Sequence, residues 1–209
     1  MKILITAGPT REYIDPIRFI SNPASGTLGF LIAEKAKKNG HNVIVVAGPC
    51  NIPHIKGIKI IPVESALEMQ ANVEKYFPSV DAVVMSAAVS DWKPEKTYSQ
   101  KIKRKKKWNL ALITNPDILK SIVAKKKKNQ VIIGFALESE NILKNAKKKL
   151  RGKNVNLLVA NTISNLGKTS KKSKIFLLFS DGRIKKIYCT KNHLASLILK
   201  ETEKLVAKK

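Results

Sequence analysis

Apolar residues in this chain come in short β-branched runs separated by stretches of helical spacing, and the two alternate from end to end. Lys2–Ala7 (KILITA) predicts a buried parallel strand, stopped by Gly8-Pro9. Residues 26–39 predict a helix, 41–47 a second strand and Lys59–Pro62 a short third. Ser65-Ala66-Leu67-Glu68 reads as a capping box opening a helix whose Met69, Val73, Tyr76 and Phe77 line one core-facing side. Strands are predicted over 81–86, 131–136 and 156–160, with a helix over 138–150 between the last two. Asn115-Pro116-Asp117 predicts a helix start with Asn as cap, Pro at the first helical position and an acid in the first turn. Asp181-Gly182, between 174–179 and 183–188, signals a hairpin, and 192–206 an amphipathic closing helix. The alternation predicts an α/β fold, a doubly wound, mostly parallel sheet in one domain over residues 1–209, ending in a hairpin plus helix.

The loop after the first strand is the chemically dense segment. In open α/β sheets ligands gather at strand carboxyl ends, and a helix beginning at Ser25-Gly26 would aim unpaired N–H groups at an anion there. The loop carries Thr10, Arg11, Asp15, Arg18, Ser21, Asn22 and Ser25, more polar chemistry than a connector needs. It lacks the G-x-G-x-x-G turn of a dinucleotide-binding Rossmann unit, and Gly48-Pro49-Cys50 stands where an acidic ribose ligand would end the second strand. The Rossmann-like layout is therefore expected without the dinucleotide oxidoreductase function, and another nucleotide-binding Rossmann-like enzyme is the alternative that the layout alone would favour. Ala-Gly-Pro recurs at residues 47–49, marking two adjacent strand ends. After the 81–86 strand, Ala87-Ala88-Val89 offers small residues against which a flat base or ribose could lie.

Charge changes this picture less than its size suggests. With 40 Lys and Arg against 15 Asp and Glu, the formal net charge is +25. Lysine dominates: the arginines are Arg11, Arg18, Arg104, Arg151 and Arg183, and base reading leans on arginine forks. A specific nucleic-acid partner is not expected, although a lysine-rich nucleic-acid-binding protein is the alternative that charge alone would favour. Runs at 125–128 and 147–149 are expected at helix ends, facing water. Residues 92–108 form a basic segment whose alternation at Lys101-Ile102-Lys103 suits an extended arm or a short strand. Cys50 and Cys189 lack metal-ligand spacing, and His41, His54 and His193 have no evident partner in sequence. No run of about 18 apolar residues could cross a membrane and no signal peptide is seen, so no membrane partner and a cytoplasmic location are expected.

Several segments, in order, carry a resemblance: ITAGPTREYIDPIRFISNPASG, SAAVSDWKPEK, KIKRK, NPDIL, GFALE and Arg151-Gly152-Lys153-Asn154 leading to Val159-Ala160-Asn161. Together they resemble phosphopantothenate–cysteine ligase, in a free-standing form without the flavin decarboxylase half, which a separate protein would supply. The resemblance implies a CTP-dependent, ATP-independent ligase of coenzyme A biosynthesis that joins 4'-phosphopantothenate to L-cysteine through an acyl-cytidylate. Mg²⁺ would accompany CTP, with no flavin and with metal ligands unmarked by any motif; a homodimer is implied, with 92–108 reaching toward the neighbouring site. Asn22 and Lys101 would be catalytic, and Arg18, Ser25 and Gly26 would face the acyl substrate. The nucleotide would meet Ala87, Asp91, Lys101, Asn115, Pro116, Asp117, Ile118, Phe135, Lys149 and Lys153. The chain departs from the family pattern at Asn156, where an acid is usual, and over 166–173.

Overall fold

A computed structural model describes residues 1–51, 55–104, 106–162 and 172–208 of the chain. The first strand, β1 (Lys2–Ala7), lies deep in the sheet because each face of it is apolar. Ile3 and Ile5 point into one core and Leu4 into the other, all fully buried. Each such side chain contributes about 1.5–3 kcal/mol when removed from water. After β1 come two short strands, β2 (Arg11–Tyr13) and β3 (Phe19–Ser21), paired as a small hairpin, then α1 (Thr27–Lys38), β4 (Asn42–Ala47) and β5 (Lys59–Pro62). The helix α2 (Ala66–Tyr76) leads to β6 (Ala82–Met85), and a second small hairpin pairs β7 (Trp92–Pro94) with β8 (Leu112–Thr114). The chain continues through α3 (Ile118–Ala124), β9 (Val131–Glu138), α4 (Ile142–Lys153) and β10 (Leu157–Thr162), then β11 (Ser173–Phe179), β12 (Ile184–Cys189) and α5 (Lys191–Ala207).

Eight strands form one sheet in the order β12-β11-β10-β9-β6-β1-β4-β5. The six from β10 to β5 run parallel, while β11 and β12 add an antiparallel hairpin at one edge. Helices α1 and α5 cover one face through Phe30, Ile32, Ala33, Leu194 and Ile198. The other face is covered by α2, α3 and α4, with Met69, Val73, Ile118, Ile122 and Ala146 buried. The expected doubly wound α/β architecture is thus observed, with the strand order reversing between β1 and β6. No helix among the described residues is long and apolar enough to cross a membrane.

Several local expectations shift for tertiary reasons. The helix expected over 138–150 begins only at Ile142, because Leu137 and Glu138 pair with Asn161 and Thr162 and so extend β9. The helix also runs on to Lys153, so the lysine run at 147–149 falls inside α4 instead of at its end. Asp117, not Asn115, caps α3, its carboxylate accepting the Lys120 N–H at 3.0 Å. Pro116 holds the preceding residue extended, and Asn115 stays with the adjoining hairpin through its N–H to the Asp91 carbonyl at 2.8 Å. The two small hairpins had no clear sequence signal. His41, without an evident partner in sequence, meets Glu203 of α5 at 2.8 Å, whereas His54 and residues 166–171 lie outside the described residues. Asn156 accepts both the Ile132 N–H and the Lys126 ammonium on Oδ1.

Candidate functional site

The carboxyl ends of β1, β4 and β6 converge, and the two Ala-Gly-Pro turns interlock there. Ala7 and Ala47 are register partners, and the Gly48 N–H donates to the Ala7 carbonyl at 2.9 Å. A Cβ on Gly48 would stand only 1.6 Å from the Pro9 carbonyl oxygen, so the approach requires glycine. Gly26 adopts φ 72° as it ends the loop and starts α1, which has no side-chain cap and no acid in its first turn. Ser25 instead shares its hydroxyl with Thr27 at 2.8 Å. The Thr27 N–H also meets Ser25 Oγ at 3.5 Å, and Gly26 at the cap offers the first turn no side-chain acceptor, a start of the kind that favours an anion.

A lattice of short bonds joins this loop to the segment after β6. Thr6 Oγ1 accepts the Ala87 N–H, the Gly8 carbonyl accepts the Ala88 N–H and Thr10 Oγ1 accepts the Ser90 N–H, all at 2.9–3.1 Å. Asn22 donates from Nδ2 to the carbonyls of Ala88 and Val89 at 3.2 and 3.1 Å. The Asn115 amide donates to the Ser90 carbonyl at 2.9 Å, while its Oδ1 is buried with no hydrogen-bond partner among the described residues. Residues from four separate stretches of sequence thus meet over the switch point.

Lys153, at the end of α4, closes the constellation by pairing with Asp117. Burial pulls the Lys153 ammonium below its ordinary pKa, and the nearby Asp91 carboxylate pushes the other way. Asp91 itself is exposed. Asn22, Ala87, Asp91, Asn115, Asp117 and Lys153 are accordingly brought together. Pro116 and Ile118 flank Asp117, with Ile118 buried in the core under α3. Lys149 is half-buried one turn before Lys153. Phe135 belongs to the other side of the sheet: its ring packs in the core under α1 and α5, whereas α4 covers the opposite face.

The basic segment is strapped down along part of its length. The Tyr98 N–H donates to the Ile14 carbonyl at 2.9 Å and the Thr97 hydroxyl to the Tyr13 carbonyl at 3.2 Å. No strand forms at Lys101-Ile102-Lys103, because the main chain of Ile102 is taken by side chains: Asp15 Oδ2 accepts its N–H at 3.1 Å and Arg18 Nη2 donates to its carbonyl at 2.6 Å. Lys101 is exposed and in no ion pair among the described residues. Sequence reasoning counted Asp15 only as one polar residue among many. Its burial and its partner 87 residues away are tertiary facts.

A cavity of about 900 Å³ lies beside the start of α1, lined by Ser25, Thr27, Phe30, Leu31, Cys50 and Ile55 among others. Of the expected site residues only Ser25 reaches it. Burial raises the Cys50 thiol pKa, which makes it a poor nucleophile. No group of three or more His, Cys, Asp or Glu that could hold a metal occurs among the described residues.

Comparison with known proteins gives a consistent result. The family described as the DNA/pantothenate metabolism flavoprotein C-terminal domain matches residues 1–205. The chain is 39% identical over 180 residues to the coenzyme A biosynthesis bifunctional protein CoaBC of Borreliella burgdorferi, covering 85% of this chain and 46% of that protein. It is likewise 39% identical over 184 residues to the CoaBC protein of Bacillus subtilis, covering 86% and 45%. The chain therefore spans about half the length of these relatives. Among solved structures, the C-terminal domain of a CoaBC protein superposes with TM-score 0.85 at 37% identity, covering 100% of this chain and 96% of that one.

Proposed function

The chain belongs to the DNA/pantothenate metabolism flavoprotein C-terminal domain family, and from that premise we propose that it is a phosphopantothenate–cysteine ligase of coenzyme A biosynthesis, acting in the cytoplasm and using CTP. The observation that carries the reading is the junction over the β1–β6 switch point, where Asn22 meets Ala88 and Val89 beside Asp91, Asn115 and Lys153.

The chemistry asked of such a site has two steps. In the first, a carboxylate oxygen of 4'-phosphopantothenate attacks the α-phosphorus of CTP, the bond to pyrophosphate breaks, and an acyl-cytidylate forms. In the second, the cysteine amine attacks the acyl carbon, the carbon–oxygen bond to CMP breaks, and the amine loses a proton. Both steps gather negative charge, so the site needs cations and N–H donors. Lys101 and Lys153 supply ammonium groups, and the uncapped start of α1 supplies backbone N–H groups near Ser25 and Gly26 on the acyl-substrate side. Arg18 keeps part of its guanidinium for the substrate while Nη2 holds Ile102.

The buried, unpartnered Oδ1 of Asn115 supports a nucleotide as the ligand, because a base amino group or ribose hydroxyl would satisfy it. Mg²⁺ fits as a passenger on the triphosphate, with Asp91 the exposed carboxylate able to share it and Asp117 already committed to Lys153 and Lys120. When bound, the ion would neutralise phosphate charge. A homodimer completes the reading, supported by the apolar exposure of the β7–β8 hairpin, where Trp92 is 51% and Leu112 and Ile113 each 41% exposed.

The test is pyrophosphate release with 4'-phosphopantothenate, with and without cysteine, in the presence of CTP or ATP. Turnover with CTP and cysteine is expected. A chain that releases pyrophosphate with neither nucleotide is not this enzyme.

A further inference from the structure

Asp15 is a carboxylate placed where carboxylates are rarely found. It is 1% exposed, yet among the described residues no lysine is paired with it, and its Arg18 partner approaches only to 3.6 Å at Nε. Its oxygens are instead consumed by main-chain donors. Oδ1 accepts the N–H groups of Ile17 and Arg18, both at 2.9 Å, and so shapes the turn between β2 and β3. Oδ2 accepts the N–H of Ile102 from a segment 87 residues further along the chain. The first set of bonds is local and explains the turn. The second is long-range and serves no sheet, helix or core.

Arg18 closes the other side of the same residue by donating to the Ile102 carbonyl. Both main-chain groups of Ile102 are thus gripped by two side chains from one four-residue turn. This fixes the peptide that follows the Cα of Lys101, whose side chain remains exposed. A long, charged, exposed side chain samples many rotamers, and anchoring its backbone restricts where the ammonium can go.

We infer that Asp15 is a positioning residue, which with Arg18 clips Ile102 and so couples the loop after β1 to the segment that carries Lys101. The clip is a statement about the fold. Its consequence for catalysis, that Asp15 acts through Lys101, rests on the ligase reading. The turn that carries the clip leads directly into β3 and Asn22, so the two residues read as catalytic hang from one small hairpin.

Two measurements separate these levels. Hydrogen exchange over 97–104 is followed in wild type, in Asp15→Asn and in Ile102→Pro, which deletes the donor while leaving Asp15 in place. Both variants should exchange at least about tenfold faster in this segment, with β1 and β6 unchanged. Unchanged exchange in the variants that fold overturns the clip, whether or not the chain is an enzyme.

The second measurement is single-turnover pyrophosphate release at saturating nucleotide in a double-mutant cycle of Asp15→Asn with Lys101→Gln. Asp15→Asn alone should slow release by up to about 100-fold, the scale of a small misplacement of a reacting group. In the Lys101→Gln background it should matter by less than about twofold, because its effect passes through Lys101. Additive effects overturn the coupling while leaving the ligase reading standing. An inactive wild type sinks the ligase reading together with the catalytic role of the clip, and the exchange result then judges the clip on its own.

Discussion

Asn22 spends both amide hydrogens on main-chain carbonyls, those of Ala88 at 3.2 Å and Val89 at 3.1 Å, and so ties the loop after β1 to the loop after β6. Donation to a developing oxyanion therefore requires it to exchange one of these bonds. Asn22→Asp replaces the donor with an acceptor facing two other acceptors. We expect it to slow amide formation by about 100-fold or more, the usual cost of losing an oxyanion donor. Pyrophosphate should still appear in a first burst without sustained turnover. Overall turnover within about twofold of wild type would show that Asn22 is only a tether.

Lys101 is to be distinguished from the lysines around it. Lys101→Gln should sharply reduce single-turnover pyrophosphate release at saturating CTP. Its stability should change by less than about 0.5 kcal/mol, as for an exposed side chain in no ion pair among the described residues. Lys106→Gln should have far less effect on the rate. Equal rates in the two variants would reduce the basic segment to a solvated surface.

Gly48→Ala tests the interlocked turns. The added methyl would meet the Pro9 carbonyl oxygen, a backbone atom that cannot swing aside as a side chain can. A loss of about 1–3 kcal/mol or more is expected, read as a lower urea midpoint. An unchanged midpoint would mean that the two strand ends separate at little cost.

Assembly is tested by light scattering at assay concentration. A homodimer is expected, with Ile113→Asp weakening it by placing a charge on the exposed apolar hairpin. A monomeric wild type with full activity would end the proposal of a homodimer.

Asp15 gives the chain a specific acid sensitivity. Burial alone would raise its pKa, but the Ile17, Arg18 and Ile102 N–H groups and the Arg18 charge outweigh it, and the net shift is downward. An unfolded aspartate titrates near about 3.9. A depressed folded value means that its stabilisation is fully present above that pH and is lost as the pH falls through the lower folded pKa. Urea unfolding of wild type and Asp15→Asn should therefore differ most above about pH 5 and converge in stronger acid. A difference that does not vary between about pH 3 and 6 would show that the charge of Asp15 contributes nothing.

How much was legible in the sequence depended on whether the signal was local. Lys2–Ala7 appears with the limits its pattern predicts, because a buried parallel strand must be apolar on both faces, and Lys59–Pro62 keeps its predicted limits as a half-buried strand at the sheet edge. Ser65 caps α2 as expected, its hydroxyl accepting the Glu68 N–H. The Asn115 cap failed for a nonlocal reason: β8 pairs with β7 up to Thr114, so the chain is still leaving a hairpin when Asn-Pro-Asp begins, and the helix waits for Asp117.

The site divides along the same line. Sequence by itself determined the α/β alternation, the polar loop at the first strand end and the residue types suited to phosphate and carboxylate chemistry. Tertiary structure decided which of them meet: Asn22 with Ala88 and Val89, Lys153 with Asp117, and Asp15 with Ile102. It also set Phe135 on the face opposite α4. Hydrophobic period and capping act over a few residues and leave their mark in neighbouring letters. A hydrogen bond between residues 87 apart leaves no such mark, because its partners are brought together only when the sheet places β1 beside β6.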